Sequence, residues 1–311
     1  MNNKIMSVFA EQNVRRSIVV LTLGLALSTP ALAQKAYESA ESAAEAFQAA
    51  VAKDDKAALG TVLGKNWKAF IPKDVDREDI DTFLAGWSKA HRIVAQTPDK
   101  SLLEVGDQGW TLPIPIVKGK AGWKFDPVAG ADEMKTRRIG RNELATIQAS
   151  LAYFDAQKEY AGQDRNGDGV LEYAQKFKSS KGKQDGLYWP ATDKQAESPL
   201  GPLVADLKPG EGYYGYRYKI LTSQGKAAPG GAYSYMIKGR MVSGFAAVAW
   251  PVRYGDTGVM SFLISHDGQL YEKDLGPKSA ELAGKMSSFN PDEGWSKVPL
   301  PASALTESEA K

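Results

Sequence analysis

Asp164, Asn166 and Asp168 stand at alternate positions in the stretch "DRNGDGVLEY", followed by Gly169, Val170 and, two places on, Glu172. Oxygen-bearing side chains alternating along a turning backbone suit a hard cation, since calcium takes six to eight oxygen ligands. Counted from Asp164, the three polar residues hold the first, third and fifth places of a calcium loop. Gly169 takes the sixth, where the chain must bend sharply, and the Val170 carbonyl serves at the seventh. The back half departs from the pattern. Gln175 stands at the twelfth place, where a bidentate glutamate is expected, and Glu172 at the ninth is the substitute. Three carboxylates predict a weak structural Ca2+ site, with a dissociation constant on the order of 10⁻⁴ to 10⁻³ M. Asn-Gly and Asp-Gly are also common turn formers, so a polar turn without an ion is the competing reading.

Other chemistries are narrowed by composition. The chain has no cysteine, which removes thiol catalysis, disulfides and thiolate metal sites. His91 and His266 are its two histidines, far apart in sequence, so a multi-histidine zinc site is excluded. A carboxylate hydrolase needs two acids about 5 to 9.5 Å apart in a cleft. Asp185, beside "GLYWP", is the one candidate, and no catalytic residue is assigned. The cluster Lys135, Arg137, Arg138 and Arg141 reads either as an anion clamp at a helix start or as a linker paired with nearby acids. Tyr188, Trp189, Tyr213, Tyr214, Tyr216, Tyr218, Tyr233 and Tyr235 crowd one region. They read either as a platform for a glycan or as packing, with Tyr214, Tyr216 and Tyr218 on one strand face by period two.

The elements that must position these groups follow from the patterning. Arg15 and Arg16, the apolar run "SIVVLTLGLAL" and small residues at Ala31 and Ala33 predict a signal peptide over residues 1–33, cleaved after Ala33. An uncleaved anchor is the alternative, although so short a core falls well below the ~20 residues of a span. Removing Lys4, Arg15, Arg16 and Glu11 from 39 basic and 37 acidic side chains leaves 36 of each. That balance gives no electrostatic reason to expect nucleic acid or an anionic membrane as partner, and no later run is apolar enough for a membrane span. Residues 34–130 read as helices followed by a curved sheet, in the manner of cystatin-like or nuclear-transport-factor-like domains. Asp54-Asp55 breaks the first two helices, and Ile80, Phe83, Leu84 and Trp87 form one stripe of a third. Residues 131–300 read as a long helix capped by Asn142, with Leu144, Ile147, Leu151 and Phe154 facing the core, then an irregular stretch and an antiparallel sheet of about four strands. Residues 301–311 read as a flexible tail. The predicted fold class is α+β in two lobes.

The order of elements in the second lobe is similar to the globular heads of type II secretion pseudopilins, without their apolar stem helix. More of the chain carries a second resemblance. The stretches "RRIGRNELATIQASLAYFDAQKEYA", "DGVLEYAQKF", "GLYWP", "GYRYKIL" and "VSGFAAVAWPVRYGDTGVMSFLISHDGQLYEKDLG" resemble the exported bacterial family described as domain of unknown function 2950. That resemblance implies export and a similar shape, and it assigns no activity. The expectation is a periplasmic or secreted envelope protein that binds or assembles without catalysing, with an envelope protein or glycan as partner and no organic cofactor. The alternative is an envelope hydrolase acting on glycan or peptide.

Overall fold

Ser39 and Asp55 start the first two helices of a computed structural model that describes residues 34–71, 75–191, 197–201 and 212–299. Ser39 accepts from the Ser42 N–H at the start of α1 (Ala40–Ala52), and Asp55 accepts from Ala57 and Ala58 at the start of α2 (Lys56–Leu63). The break falls at Asp54-Asp55 as the pattern predicts. A capping box of Asp76 and Asp79 opens α3 (Arg77–Lys89), whose Ile80, Phe83, Leu84 and Trp87 are half-buried on one side. These helices pack on an antiparallel sheet of β1 (His91–Thr97), β2 (Lys100–Val105), β3 (Trp110–Thr111), β4 (Ile116–Gly119) and β5 (Gly122–Phe125). The order is β1-β2-β4-β5, with β3 also on β2. Ala43, Phe47, Leu59, Val62, Leu103, Ile116 and Phe125 form this lobe's core.

The long helix differs from the expected one. α4 runs without a break from Pro127 to Ala161, capped by the Asp126 side chain on the Ala129 N–H, with proline in the first turn. Asn142 is therefore mid-helix, where its amide donates to the Thr257 carbonyl at 2.8 Å. Gly130 lets the first turns close on Ile114, whose side chain and backbone occupy the space a β-carbon would need. Met134 packs on the first core, whereas Ile147, Leu151 and Phe154 pack on a second. One helix thus belongs to both lobes, and the boundary expected at 130/131 lies inside it.

The second lobe continues with β6 (Tyr216–Leu221), β7 (Ser223–Gln224), β8 (Tyr233–Ser234), β9 (Met236–Ile237), β10 (Arg240–Met241), β11 (Ala246–Pro251), β12 (Met260–Ser265), β13 (Leu270–Asp274), α5 (Ser279–Lys285), β14 (Ser288–Phe289) and β15 (Ser296–Lys297). Its main sheet has five strands in the order β15-β13-β12-β11-β6, all antiparallel. The "GDTG" and "HDG" turns join β11, β12 and β13 into an antiparallel meander. β11 is buried along its whole length, which fits its run of Ala, Val and Trp. α4 covers one face of this sheet. On the other, Lys219 donates to the Gly284 and Met286 carbonyls at the end of α5.

The face of α4 that goes deepest is not the apolar stripe. Leu144 is 63% exposed, while Thr146, Ser150, Tyr153, Gln157 and Tyr160 are buried. Every one of these side chains has a partner. Thr146 and Ser150 donate to carbonyls one turn back, Tyr153 to Ala246 and Tyr160 to Gln184. Gln157 clamps Ala174, donating to its carbonyl and accepting from its N–H, both at 2.8 Å. Gln157 and Tyr160 thus tie the irregular stretch to the helix, beside backbone bonds such as Tyr173 N–H to the Met241 carbonyl and Leu187 N–H to the Lys176 carbonyl. Among the described residues no helix is long and apolar enough to cross a membrane. The predicted signal peptide and tail lie outside the described residues.

Candidate functional site: the loop at the end of the long helix

The chain leaves α4 at Gly162 and enters a series of turns closed by its own polar side chains. Asp164 accepts from the N–H groups of Asn166 (3.2 Å), Gly167 (2.8 Å) and Gly169 (2.7 Å). Asn166 accepts from Asp168 N–H at 3.1 Å and Asp168 from Val170 N–H at 3.0 Å. Each is a side chain satisfying the backbone two or more residues on, the local habit of Asp and Asn. Gly167 and Gly169 have φ of 76° and 82°, a conformation that favours glycine. The Gly169 N–H, foremost among these donors, holds the Asp164 carboxyl below its ordinary range.

Three of the five predicted ligands meet a cation supplied by the protein itself. The Arg240 guanidinium takes both oxygens of Asp168, at 2.7 and 2.9 Å, and donates to the Val170 carbonyl at 3.1 Å and to Glu172 at 3.3 Å. Asn166 reaches the other oxygen of Glu172 at 3.3 Å. Asp164 is the member set apart, turned to the backbone. Partial burial works to raise the Asp168 carboxyl, but the Arg240 hydrogen bonds and charge outweigh it and hold it below the ordinary value. Gln175, at the twelfth place of the loop pattern, points elsewhere and donates to the Gly239 carbonyl in the β9–β10 turn. Among the described residues, no group of three or more His, Cys, Asp or Glu side chains comes together as a ready metal cage. The loop as it stands carries ionised carboxylates, a matching guanidinium and a carbonyl, which bind and hold charge. Arg240 had no local signal in the sequence, because it sits 72 residues beyond Asp168 on a separate hairpin.

The other sequence candidates are committed to structure. Asp185 accepts from Lys176 at 2.7 Å and from the Ser180 N–H and hydroxyl. The Lys176 bond, foremost, lowers its carboxyl to about 2, so it has no proton to give near neutral pH. Arg137 binds Glu133 and the Thr111 backbone carbonyl and hydroxyl in the first lobe, and Arg138 pairs with Asp256 in the second. Those two arginines link the lobes to α4 and are not free for an anion. His91 stacks on Trp87 with ring centres 3.8 Å apart, and His266 meets the Tyr233 hydroxyl at 3.2 Å. Among the described residues neither is bonded to a serine. The aromatic run is divided: Trp189, Tyr216 and Tyr235 are buried, Tyr188, Tyr213 and Tyr218 half-buried, and Tyr214 and Tyr233 exposed, with the Tyr216 and Tyr235 hydroxyls pushed up by desolvation. Tyr214 lies in the turn before β6 with φ of 46° and is 56% exposed, so it does not share the strand face of Tyr216 and Tyr218.

The family model for "Protein of unknown function (DUF2950)" matches residues 34–298. No curated protein and no solved structure matches the chain. The chain belongs to the DUF2950 family.

Proposed function

We propose that this family member is an exported, non-catalytic binding or assembly module of the bacterial envelope in which loop 164–172 is a structural calcium clip. The observation that carries the reading is the convergence of Asp168, Glu172 and the Val170 carbonyl on one cation, Arg240. Asp164, Asp168 and Glu172 bring three negative charges, and Arg240 and Arg165 return two, Arg165 from a position turned onto the Tyr160 and Trp189 rings. The loop keeps a net negative charge, to which a hard cation is drawn. Asp164 already has its oxygens turned inward by the Gly167 and Gly169 N–H groups, which lowers the reorganisation that binding demands. Bound calcium locks the loop at the exit of α4 and displaces Arg240 from Asp168 and Glu172. The hydrolase alternative gains no comparable support, because Asp185 is held ionised by Lys176.

The test is a thermal melt in millimolar calcium, in millimolar magnesium and in chelator. The expected result is a calcium-specific rise of a few degrees. The rise disappears in Asp164→Ala, a variant that leaves the Arg240 contacts in place. Superimposable melts in calcium and chelator, for the protein and for Arg240→Gln alike, would reduce the loop to an arginine-held turn. Export is tested separately, by the mass of the protein recovered from a periplasmic or culture fraction, which begins at Gln34 if the signal is cleaved.

A further inference from the structure

Loop 164–172, the turn at 180–184 and the β9–β10 hairpin stand together at the end of α4. Arg240, which donates to the Val170 carbonyl, is the cross-strand partner of Ile237, and Gln175 bonds the Gly239 carbonyl in the same turn. Tyr160, in the last turn of the helix, holds Gln184, and Lys176 reaches Ser180 and Asp185. Three large apolar side chains project from this end into solvent: Val170 is 42% exposed, Leu171 54% and Ile237 52%. They stand on tight turns whose backbones are fixed by side-chain bonds, so their exposure is built in.

The charge around them is one-sided. Residues 164–185 carry five basic and four acidic side chains and residues 236–241 two basic and none acidic, a net of three positive charges where residues 34–311 as a whole are balanced. The acids are also the engaged partners: Asp168 and Glu172 lie on Arg240, Asp185 on Lys176, and Asp164 on backbone N–H groups. Lys181, Lys183 and Lys238 are exposed and make no ion pair with a described residue. Apolar side chains on separate turns, flanked by unpaired lysines, match an interface that offers hydrocarbon and phosphate over a broad area. A soluble acidic partner would use the lysines and leave the apolar tips wet.

We propose that this end of the protein docks on an anionic lipid surface, with Val170, Leu171 and Ile237 entering the headgroup boundary and Lys181, Lys183 and Lys238 meeting lipid phosphates. The proposal goes beyond the calcium reading and does not need it, so its test is run in chelator. The purified protein is sedimented with vesicles of phosphatidylglycerol and phosphatidylcholine, or of phosphatidylcholine alone, at low and high salt. Sedimentation is expected with the anionic vesicles at low salt only, weakening about fivefold for each of Lys181→Gln, Lys183→Gln and Lys238→Gln. The double variant Leu171→Ser with Ile237→Ser weakens it at least tenfold while its melt stays that of the parent, because both side chains are at the surface. No sedimentation with anionic vesicles at low salt overturns the proposal. So does sedimentation that ignores the apolar pair, which would mark a purely ionic contact or another face of the protein.

Discussion

Replacing Gln157 with leucine tests whether the irregular stretch after α4 is held by the helix. Gln157 is fully buried, and its amide is the hydrogen-bond partner of both the N–H and the carbonyl of Ala174. Leucine keeps the volume and removes both bonds, together with the amide's bond to the Tyr153 hydroxyl, leaving two backbone groups without partners at about 1–3 kcal/mol each. Better apolar burial returns about 1 kcal/mol. The expected loss is therefore about 1–5 kcal/mol, a sizeable part of the 5–15 kcal/mol of a typical domain. Urea unfolding followed by tryptophan fluorescence reads it as a fall in midpoint with unchanged slope. Limited trypsin digestion gives a second, local readout, since Lys176, Lys178, Lys181 and Lys183 lie on the segment that Ala174 anchors. Their cleavage should precede cleavage elsewhere and quicken in the variant. A loss below about 1 kcal/mol with unchanged digestion would refute the reasoning, because two groups so placed cannot lose their partners without that penalty.

Glu143 accepts from the N–H groups of Val259 (2.8 Å) and Met260 (3.0 Å). Glu143→Ala should lower stability by about 1–3 kcal/mol, with Glu143→Gln closer to the parent because it keeps an acceptor; equal losses in the two variants would show that charge, not acceptance, is what matters. Asp185 has a folded pKa lowered to about 2 by Lys176, so its stabilising contribution is present above the ordinary carboxylate range and is lost as pH falls from about 4 toward 2. Asp185→Asn should lower the melting temperature at neutral pH and match the parent at the acid end, and parallel pH profiles would contradict that. Arg240→Gln should speed amide hydrogen exchange at Val170 while leaving Ala174 slow, since Ala174 is held by Gln157 rather than by the loop. Fast exchange at both sites would mean that the guanidinium supports the whole stretch.

Much of the scaffold was legible because it is built from local rules. The helix break at Asp54-Asp55 and the stripe of Ile80, Phe83, Leu84 and Trp87 along α3 both depend on residues close in sequence. α4 was legible as a helix but not as to its start or its inner face. Asn142 has the chemistry of a cap and spends it on Thr257, 115 residues away. Hydrophobic periodicity pointed to Leu144, Ile147, Leu151 and Phe154; the last three pack on the core, Leu144 faces solvent, and the row buried deepest is the polar one through Thr146, Ser150, Tyr153, Gln157 and Tyr160. Such a row can be buried only where partners are supplied. Those of Tyr153, Gln157 and Tyr160 lie at Ala246, Ala174 and Gln184, in segments with no periodic signal of their own.

The same physics explains why the front of the loop could be read and its cation could not. Side chains that bond their own backbone two residues on leave a spacing in the sequence, and Asp164, Asn166 and Asp168 show it. A charge that neutralises them from another element leaves none, because Arg240 on a two-residue strand looks like any surface arginine. The consequence bears on function. The loop is closed in front by its own turns and clamped behind by Gln157 on Ala174, by the Tyr173 N–H on the Met241 carbonyl and by Gln175 on the Gly239 carbonyl, so Arg240 can leave Asp168 and Glu172 without unfolding its surroundings. An ion that competes for Asp168 and Glu172 acts on that single contact, and the β9–β10 hairpin that carries Arg240 also carries Ile237 and Lys238. Occupancy of the loop by calcium and contact of this end with lipid would therefore be coupled through one arginine, with calcium binding expected to strengthen the hold on anionic vesicles by freeing a positive charge beside them.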